Sequence, residues 1–344
     1  MASWYIEKGP ESDVIISSRV RLARNLEEYP FPFKMSKEQQ SKVLSLVKDV
    51  VMNSSRSASR DFLFVDMEGF GPIDKLTMVE KHLISPDLAE SQRLSAAIIS
   101  RDEKISIMIN EEDHIRIQCM FPGMQLDSAW KLCNKIDTLL EEKIDFAFNN
   151  DYGYLTCCPT NIGTGIRAST MMHLPALTMT GYIKGVLEAC SKLGITVRGL
   201  YGENSEASGN MFQVSNQVTI GLTEEEIIAN VTNIASQIME QERTLRKELY
   251  RQNSYRFEDK VYRSLGIFAN ARIMSTEESL KLASDVRLGV EMGIIPGISL
   301  ETLNEIMILI QPASLQKSVG KPLSPEERDV KRAELVRKKL GLSN

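Results

Sequence analysis

The sequence predicts an α/β (α+β) fold followed by an all-helical C-terminal region. Residues 105–110 and 115–121 have the apolar side chains of β-strands, and the second segment alternates between apolar and polar positions. Residues 127–142 and 223–250 instead repeat apolar side chains every three to four positions, as amphipathic helices do. Beyond residue 253 only helical patterns continue. We therefore predict two domains, residues 1–253 and 254–344.

Composition limits the class of protein. The 344 residues are 42% apolar and 25% charged, which is typical of a soluble globular chain with a sizeable core. A net charge of -5 argues against a nucleic-acid-binding protein. Five cysteines without a C-x-x-C pair, and no signal peptide or membrane-length apolar run, predict a cytoplasmic protein without a membrane partner. Three histidines without H-E-x-x-H predict no zinc site.

The first element is a basic strand within residues 13–25. In an extended segment Arg19 and Arg21 point to the same face. Two adjacent guanidinium groups repel each other unless an anion lies between them. A solvated basic edge is the alternative explanation of this segment alone.

The remaining elements follow from apolar periodicity and from capping and breaking residues. Strands are predicted at 61–66, 154–156, 196–201 and 211–221, and a polar Gly/Ser loop that resembles a mobile lid at 202–210. Helices are predicted at 36–51 and 174–193. Three more are predicted at 257–265, 276–292 and 299–310, and they end at Gly266, at residues 293–297 and at Pro312. Residues 78–83 are predicted to form a short helix or loop around His82. Ser324, Pro325 and Glu327 have the signature of a capping box that begins a final helix, with Val330, Ala333, Val336 and Leu340 on its buried stripe.

Three consecutive acids, Glu111, Glu112 and Asp113, separate the strands at 105–110 and 115–121. Such a cluster is commonly a polar hairpin turn. It could also present carboxylates to a cleft beside Arg116, on the strand that follows.

Residues 157–169 place a thiol, two glycines and Arg167 close together, a combination suited to a phosphate group. A Walker A loop is excluded because no lysine follows the glycines. Gly163-x-Gly165-x-x-Ala168 fits a dinucleotide fingerprint, with Glu188 about twenty residues later. No βαβαβ series surrounds it, so we disfavour dinucleotide binding.

Near the C-terminus, Arg328 and Arg332 are four residues apart and so are neighbours on a helix surface, with Asp329 within one turn. Two arginines and an acid could hold both the phosphate and the guanidinium of a phosphoarginine. A solvated basic helix face is the alternative.

Four motifs occur in order along residues 10–250. They are Ser18-Arg19-Val20-Arg21, Asn110-Glu111-Glu112-Asp113-His114-x-Arg116, the segment from Leu155 to Arg167 with Cys158-Pro159 and Gly163-Thr164-Gly165, and Arg198-Gly199 followed by a Gly/Glu loop. Together they resemble the catalytic domain of the phosphagen (guanidino) kinases, the creatine and arginine kinase family. The resemblance implies a large antiparallel sheet flanked by helices.

The same resemblance implies site residues, ATP as the phosphoryl donor, and Mg²⁺ held mainly through the nucleotide phosphates, with no metal ligand assigned to the protein. Glu112, Cys158 and Glu203 match catalytic positions. The implied ATP-binding set is Ser18, Arg19, Val20, Arg21, Leu22, His82, Arg116, Arg167, Ala168, Ser169, Thr170, Met171, Arg198, Gly199, Leu200, Tyr201, Gly202 and Glu203.

Within the family, the short segment before Ser18 and the long tail are similar to bacterial protein-arginine kinases. That similarity implies protein substrates with exposed arginines and an allosteric phosphoarginine pocket at Arg328, Asp329, Arg332 and Ala333. It also implies a homodimer, a zinc-binding activator protein, a Clp-type ATPase or protease that receives marked proteins, and a role in stress response. A kinase for free arginine or another small guanidine, and a non-catalytic phosphoarginine-binding adaptor, are the alternative functions.

Overall fold

The computed structural model describes residues 3–53, 58–199 and 207–341. The predicted site residues Leu200, Tyr201, Gly202 and Glu203 lie outside the described residues. So does most of the predicted lid-like loop.

The centre of the molecule is an eight-stranded sheet in which every neighbouring pair is antiparallel, as the family resemblance implies. The strands are β1 Ile15–Arg24, β2 Phe62–Asp66, β3 Ala96–Ser100, β4 Ile105–Ile109, β5 Ile115–Pro122, β8 Ile166–His173, β9 Ile195–Gly199 and β10 Met211–Asn216, while β6 Phe148–Asn149 and β7 Gly153–Tyr154 form a separate hairpin. The spatial order of the sheet is β2-β3-β4-β5-β1-β8-β10-β9.

Thirteen α-helices surround the sheet in the described part of the chain. They are α1 Lys37–Met52, α2 Ala58–Asp61, α3 Pro72–Glu80, α4 Pro86–Glu90, α5 Leu126–Glu141, α6 Pro175–Met179, α7 Ile183–Lys192, α8 Glu224–Gln252, α9 Ser254–Asn270, α10 Thr276–Glu291, α11 Leu300–Leu309, α12 Pro312–Val319 and α13 Pro325–Lys339. Full capping boxes begin α1, α8 and α13, each with a Ser or Thr side chain accepting from the third helical N–H.

The two faces of the sheet differ. On one face α1, α5, α7 and α8 bury the main apolar core, which includes Val20 and Leu22 of β1. On the other face a smaller core covers only the β2–β4 end, beneath α3 and α4. Strands β5, β1, β8 and β10 are left with polar side chains on that second face, and this is where a cleft opens.

Helices α9–α13 have a core of their own and pack against the sheet region. A buried ionic network joins the two parts: Glu291 of α10 accepts from Arg246 of α8 at 2.8 Å and lies 3.2 Å from the ring of His173 on β8. Arg287, only 1% exposed, donates to the backbone carbonyl of Ser12 near the N-terminus. The helical region is therefore fixed to β8, to α8 and to the segment before β1.

Several helix predictions were wrong, for identifiable reasons. The segment 174–193 is two helices, because Gly181 adopts a left-handed φ of 75° between α6 and α7. Gly266 does not end a helix, since α9 continues to Asn270. Pro312 begins α12 rather than only ending α11, because a proline is tolerated in the first helical turn.

Smaller predictions also need correction. The strand expected at 154–156 is Gly153–Tyr154, and the one expected at 211–221 ends at Asn216. Residues 78–83 contain the end of α3 and a turn in which His82 has a φ of 58°. Val330 is 44% exposed instead of lying in the buried stripe of α13, which consists of Ala333 and Val336 with Leu340 packed against it.

Candidate active site

The sheet places arginines from separate strands on its open face. In an antiparallel pair, residues directly opposite each other point to the same face. Arg21 of β1 lies opposite Arg167 of β8, and Ala23 lies opposite Arg116 of β5. Arg198 of β9 lies opposite Gln213 of β10 and reaches the same cleft.

Two adjoining cavities occupy this face. The first, of about 230 Å³, is lined by Arg21, Leu22, Ala23, Glu112, Arg116, Cys158, Thr160, Asn161, Gly165, Arg167, Arg198, Gln213 and Ser215. The second, of about 390 Å³, is lined by Arg19, Arg21, Val79, Glu80, His82, Ile84, Ser85, Pro86, Met108, Arg116, Gln118 and Gln311. Arg21 and Arg116 belong to both, so a ligand that filled both cavities would contact these two guanidinium groups.

The arginines repel one another. Burial, and then the positive charges of Arg116 and Arg167, lower the pKa of Arg19 to about 10. The pKa of Arg21 is lowered for the same reasons, and that of Arg167 by burial and by Arg198. Because an anion bound among them would offset this repulsion, the cleft favours a multiply charged anion such as a triphosphate.

Of the three acids in the β4–β5 hairpin, only Glu112 faces the cleft. Glu111 is fully buried and binds Arg116 at 2.6 Å, which holds that guanidinium in place. Asp113 is buried and accepts from the backbone N–H of Cys157 at 2.8 Å and from the amide of Asn25 at 2.7 Å. The Asp113 contacts tie the hairpin to the cysteine loop, and thereby hold Glu112 near Cys158.

Glu112 has the properties of a proton acceptor within reach of substrate. Its side chain is 41% exposed and binds Arg116 at 2.9 Å. Burial raises its pKa, Arg116 opposes that shift, and the neighbouring carboxylates of Asp113 and Glu111 add to it. A carboxylate that remains ionised at neutral pH but is more basic than an ordinary Glu suits general-base work.

The two neighbouring thiols differ. Cys158 lines the cleft, and its Sγ lies 3.0 Å from the hydroxyl of Thr160. Cys157 is held by Asp113, and burial together with that carboxylate raises the pKa of its thiol. Cys157 is therefore disfavoured as a thiolate at neutral pH.

The sequence suggested that the glycines of residues 157–169 leave room for a phosphate group, but in the structure they have a different role. A Cβ at Gly163 would lie 2.3 Å from the carbonyl oxygen of Thr219, and one at Gly165 would lie 2.7 Å from that of Ala23. Both residues have a positive φ. The close approach that requires glycine here is thus to the protein's own backbone.

His82 lies in the second cavity beside the aromatic ring of Trp4, with ring centroids 6.4 Å apart. Burial, and then the positive charge of Arg19, lower the pKa of His82 to about 3. The ring is therefore neutral at physiological pH and would contact a ligand as an uncharged group.

The predicted ATP-binding segments alternate between the two faces of the sheet. Ser169 and Met171 share the cleft face with Arg167. The other side chains, Ser18, Val20, Leu22, Ala168 and Thr170, lie on the buried face. Ser18 is used structurally there, since its hydroxyl donates to Gly123 and accepts from the N–H of Gln125.

Gln213 and Ser215 of β10, and Asn161, line the cleft but were missed. Gln213 accepts from the guanidinium of Arg19 at 2.8 Å. The alternation of β10 would have placed Gln213 and Ser215 on one face, yet nothing local in the sequence indicates that β10 pairs with β8.

Arg24, the third arginine of β1, is structural. It is 1% exposed, binds Asp137 at 2.7 Å, and lies over the ring of Tyr154.

In the predicted C-terminal pocket, Arg332 is buried, with only 1% of its surface exposed. It donates to the carbonyls of Ile310 at 2.7 Å and Met274 at 2.8 Å, and binds Asp329 at 2.6 Å. Arg328 is half-buried at the surface of the same helix, and Ala333 is fully buried. Arg332 therefore connects α13 to the segments before α10 and α12.

Among residues 3–53, 58–199 and 207–341, no group of three or more His, Cys, Asp and Glu side chains could hold a metal ion. No helix in that part of the chain is both long and apolar enough to span a bilayer.

Comparison with known proteins agrees with this geometry. Residues 42–245 match the family model described as "ATP:guanido phosphotransferase, C-terminal catalytic domain". Residues 254–344 match the model described as "Protein-arginine kinase McsB C-terminal domain". A protein named protein-arginine kinase from Bacillus pumilus is 50% identical over 342 residues, covering 99% of this chain and 94% of that protein. One from Desulforamulus reducens is 51% identical over 345 residues, covering 100% and 97%.

The chain belongs to the ATP:guanido phosphotransferase family, among the protein-arginine kinases. The predicted family and fold class are thereby confirmed.

Solved structures agree with this membership of the ATP:guanido phosphotransferases. A duplicated taurocyamine kinase from Schistosoma mansoni with bound transition-state analogue components has a TM-score of 0.59 and 27% identity, covering 67% of this chain but 33% of that one. Lombricine kinase has a TM-score of 0.61 and 19% identity, covering 70% of this chain and 69% of its own, and shows the fold alone.

Proposed function

We propose that this chain transfers the γ-phosphoryl group of ATP to arginine side chains of proteins. The observation that supports it is the convergence of Arg21, Arg116, Arg167 and Arg198 on a cleft whose edge is formed by Glu112. Catalysis of phosphoryl transfer depends mainly on positioning and on neutralising charge. Mg²⁺ enters with the nucleotide and bridges its phosphates.

The nucleophile determines what the acid must do. A guanidinium has a pKa of about 13.8, so freeing its lone pair at neutral pH costs roughly 9 kcal/mol. We assign Glu112 as the carboxylate that orients the guanidinium and accepts its proton while the N–P bond forms. The arginines stabilise the charge on the transferring group and on the ADP that leaves.

Protein substrates are favoured over free arginine because relatives at about 50% identity over the whole chain are named protein-arginine kinases. The test compares ADP release with casein, with casein whose arginines are blocked by a dicarbonyl reagent, and with free arginine. We expect release with intact casein only. Equal rates with free arginine would favour the small-guanidine alternative, and no release with any acceptor would favour the non-catalytic adaptor.

We assign Cys158 to substrate contact, as the sulfur that meets the incoming guanidinium. Cys158→Ser should lower kcat/KM roughly tenfold or more, the value of one charge-assisted contact. Cys157→Ser is the matched control and should cost much less, since burial and Asp113 disfavour its thiolate. Both variants would be assayed with casein, and the wild type also with a thiol-blocking reagent in the presence and absence of ATP plus substrate. A larger loss with Cys157→Ser would contradict the assignment.

The pocket for phosphoarginine at Arg328, Asp329, Arg332 and Ala333 stays a proposal, supported by the ion pair between Arg332 and Asp329 and by the nearby positive charge of Arg328, which acts on Arg332. Because Arg332 satisfies buried carbonyls, Arg332→Ala should destabilise the fold by about 2 kcal/mol or more. Arg328→Ala is the cleaner probe. It should remove phosphoarginine binding without lowering the melting temperature.

Calorimetric titration of phosphoarginine into the Glu112→Gln background measures this binding without turnover. Lys331→Ala is the matched control, because Lys331 is an exposed cation of the same helix paired with Glu334. Unchanged binding by Arg328→Ala would rule out the pocket.

The other assignments by resemblance are part of the same proposal. They are a domain boundary between residues 253 and 254, a homodimer, a zinc-binding activator protein, a Clp-type protease that receives the phosphorylated proteins, and a role in stress response in the cytoplasm. The match of residues 254–344 to a C-terminal domain model is consistent with that division.

A further inference from the structure

The C-terminal helical region reaches the second cavity of the cleft. Gln311, between α11 and α12, lines that cavity together with Arg19, Arg21 and His82. It is 5% exposed, and its amide donates to the carbonyl of Met307 at 3.2 Å. That bond uses one of the two N–H donors of the amide.

Helix α12 is held in this position by the end of α3. The carboxylate of Glu80 accepts from the backbone N–H of Ala313 at 2.7 Å, and from the N–H and the hydroxyl of Ser314 at 2.6 and 2.7 Å. A carboxylate at the first N–H groups of a helix is stabilised both by hydrogen bonds and by the helix dipole. Glu80 also lines the cavity, two residues before His82.

The residue before Gln311 is fixed from the other side. Arg332 of α13 donates to the carbonyl of Ile310 at 2.7 Å, with a guanidinium that is almost fully buried. The backbone that presents Gln311 is thus held at both ends, by α13 and by α3. A side chain held this firmly keeps a defined orientation toward a ligand, which reduces the entropy lost on binding.

The lining of the second cavity matches a nucleotide. Arg19, Arg21 and Arg116 supply one charged end, and apolar side chains of Val79, Ile84, Pro86 and Met108 supply the remaining wall. Against that wall, the amide of Gln311 offers both a donor and an acceptor, the pair that a base edge or ribose hydroxyl can use.

We infer that Gln311 is a nucleotide-contacting residue supplied by the C-terminal region, and that Glu80 is the positioning residue that docks α12 so that Gln311 faces the cavity. This inference rests on the proposed function in taking the second cavity as the nucleotide site. The helical region is then a structural part of that site, and its docking is linked to nucleotide affinity.

The test is steady-state kinetics and ADP titration on the full chain carrying Gln311→Met, which keeps the side-chain length and removes the amide. We expect KM for ATP and Kd for ADP to rise about 2- to 10-fold, the range for one hydrogen bond. kcat and KM for casein should change little. Glu80→Gln should raise KM for ATP in the same direction, because its weaker contacts hold α12 less firmly.

Gln316→Met is the matched control. Gln316 lies on α12 and donates to the carbonyl four residues earlier, as Gln311 does, but it does not line the cavity. Unchanged KM for ATP in Gln311→Met, or an equal rise in Gln316→Met, would overturn the inference. If the wild type neither bound ADP nor produced ADP from ATP in the presence of casein, the proposed function itself would fail, which is a different result.

Discussion

Glu112→Gln is expected to lower kcat by about two to four decades, the usual contribution of a general base. Glutamine keeps the shape and can still accept a hydrogen bond from a guanidinium, but it cannot take up its proton. ADP affinity should stay near the wild-type value, because the nucleotide phosphates are bound by the arginines. Glu142→Gln, an exposed acid at the end of α5, is the matched control.

The pH profile adds an independent measurement for Glu112. The base must be ionised, and burial raises the pKa of Glu112 above its usual range. Activity should therefore fall as pH drops through a value higher than that of an ordinary glutamate, and this acidic limb should be absent from the residual activity of Glu112→Gln. Near-wild-type turnover, or an unchanged acidic limb, would remove Glu112 from this role.

Arg21→Met should have opposite effects on catalysis and on stability. The Nε of Arg21 has no hydrogen-bond partner among the described residues, and burial and the charges of Arg19, Arg116 and Arg167 lower the pKa of the guanidinium. An apolar side chain of similar length removes that repulsion, so the free energy of unfolding should rise by about 1 kcal/mol or more. kcat/KM should fall by about three decades, the scale of one arginine acting on a transferring phosphoryl group.

Arg24→Met is the informative comparison. It lies three residues away on the same strand, but it pairs with buried Asp137 on the other face. Loss of the Arg24 guanidinium leaves the Asp137 carboxylate buried without its charge partner, which should destabilise the fold by about 3–5 kcal/mol. Chemical denaturation of both variants measures whether each substitution raises or lowers the free energy of unfolding. A destabilised Arg21→Met would show that Arg21 is a structural cation and contradict its assignment to phosphate binding.

Local chemistry in the sequence predicted a large part of the fold and of the candidate site. The alternation of residues 13–25 placed Arg19 and Arg21 on one face, and the capping box at Ser324 gave the start of α13. Each of these features depends on residues within a few positions of one another. The order of the strands came from the resemblance.

What the sequence could not supply depends on contacts between distant segments. Gln213 reaches Arg19 across 194 positions, and Glu80 meets Ser314 across 234. A contiguous motif such as Ser18 to Leu22 also conceals its alternation, so that residues from both faces were assigned to the nucleotide. The burial of Arg332 was hidden for the same reason, because an arginine on a helix flank becomes buried only when other helices pack against it.

The most direct test of the central claim is to incubate wild type and Glu112→Gln with γ-labelled ATP, Mg²⁺ and casein, and to follow the phosphate on the protein. A phosphoramidate bond is expected, so the label should be lost in acid and retained in alkali, with modified arginines identified by mass spectrometry. Glu112→Gln should give little label. Acid-stable phosphate on hydroxyl side chains, or equal labelling by Glu112→Gln, would contradict the account.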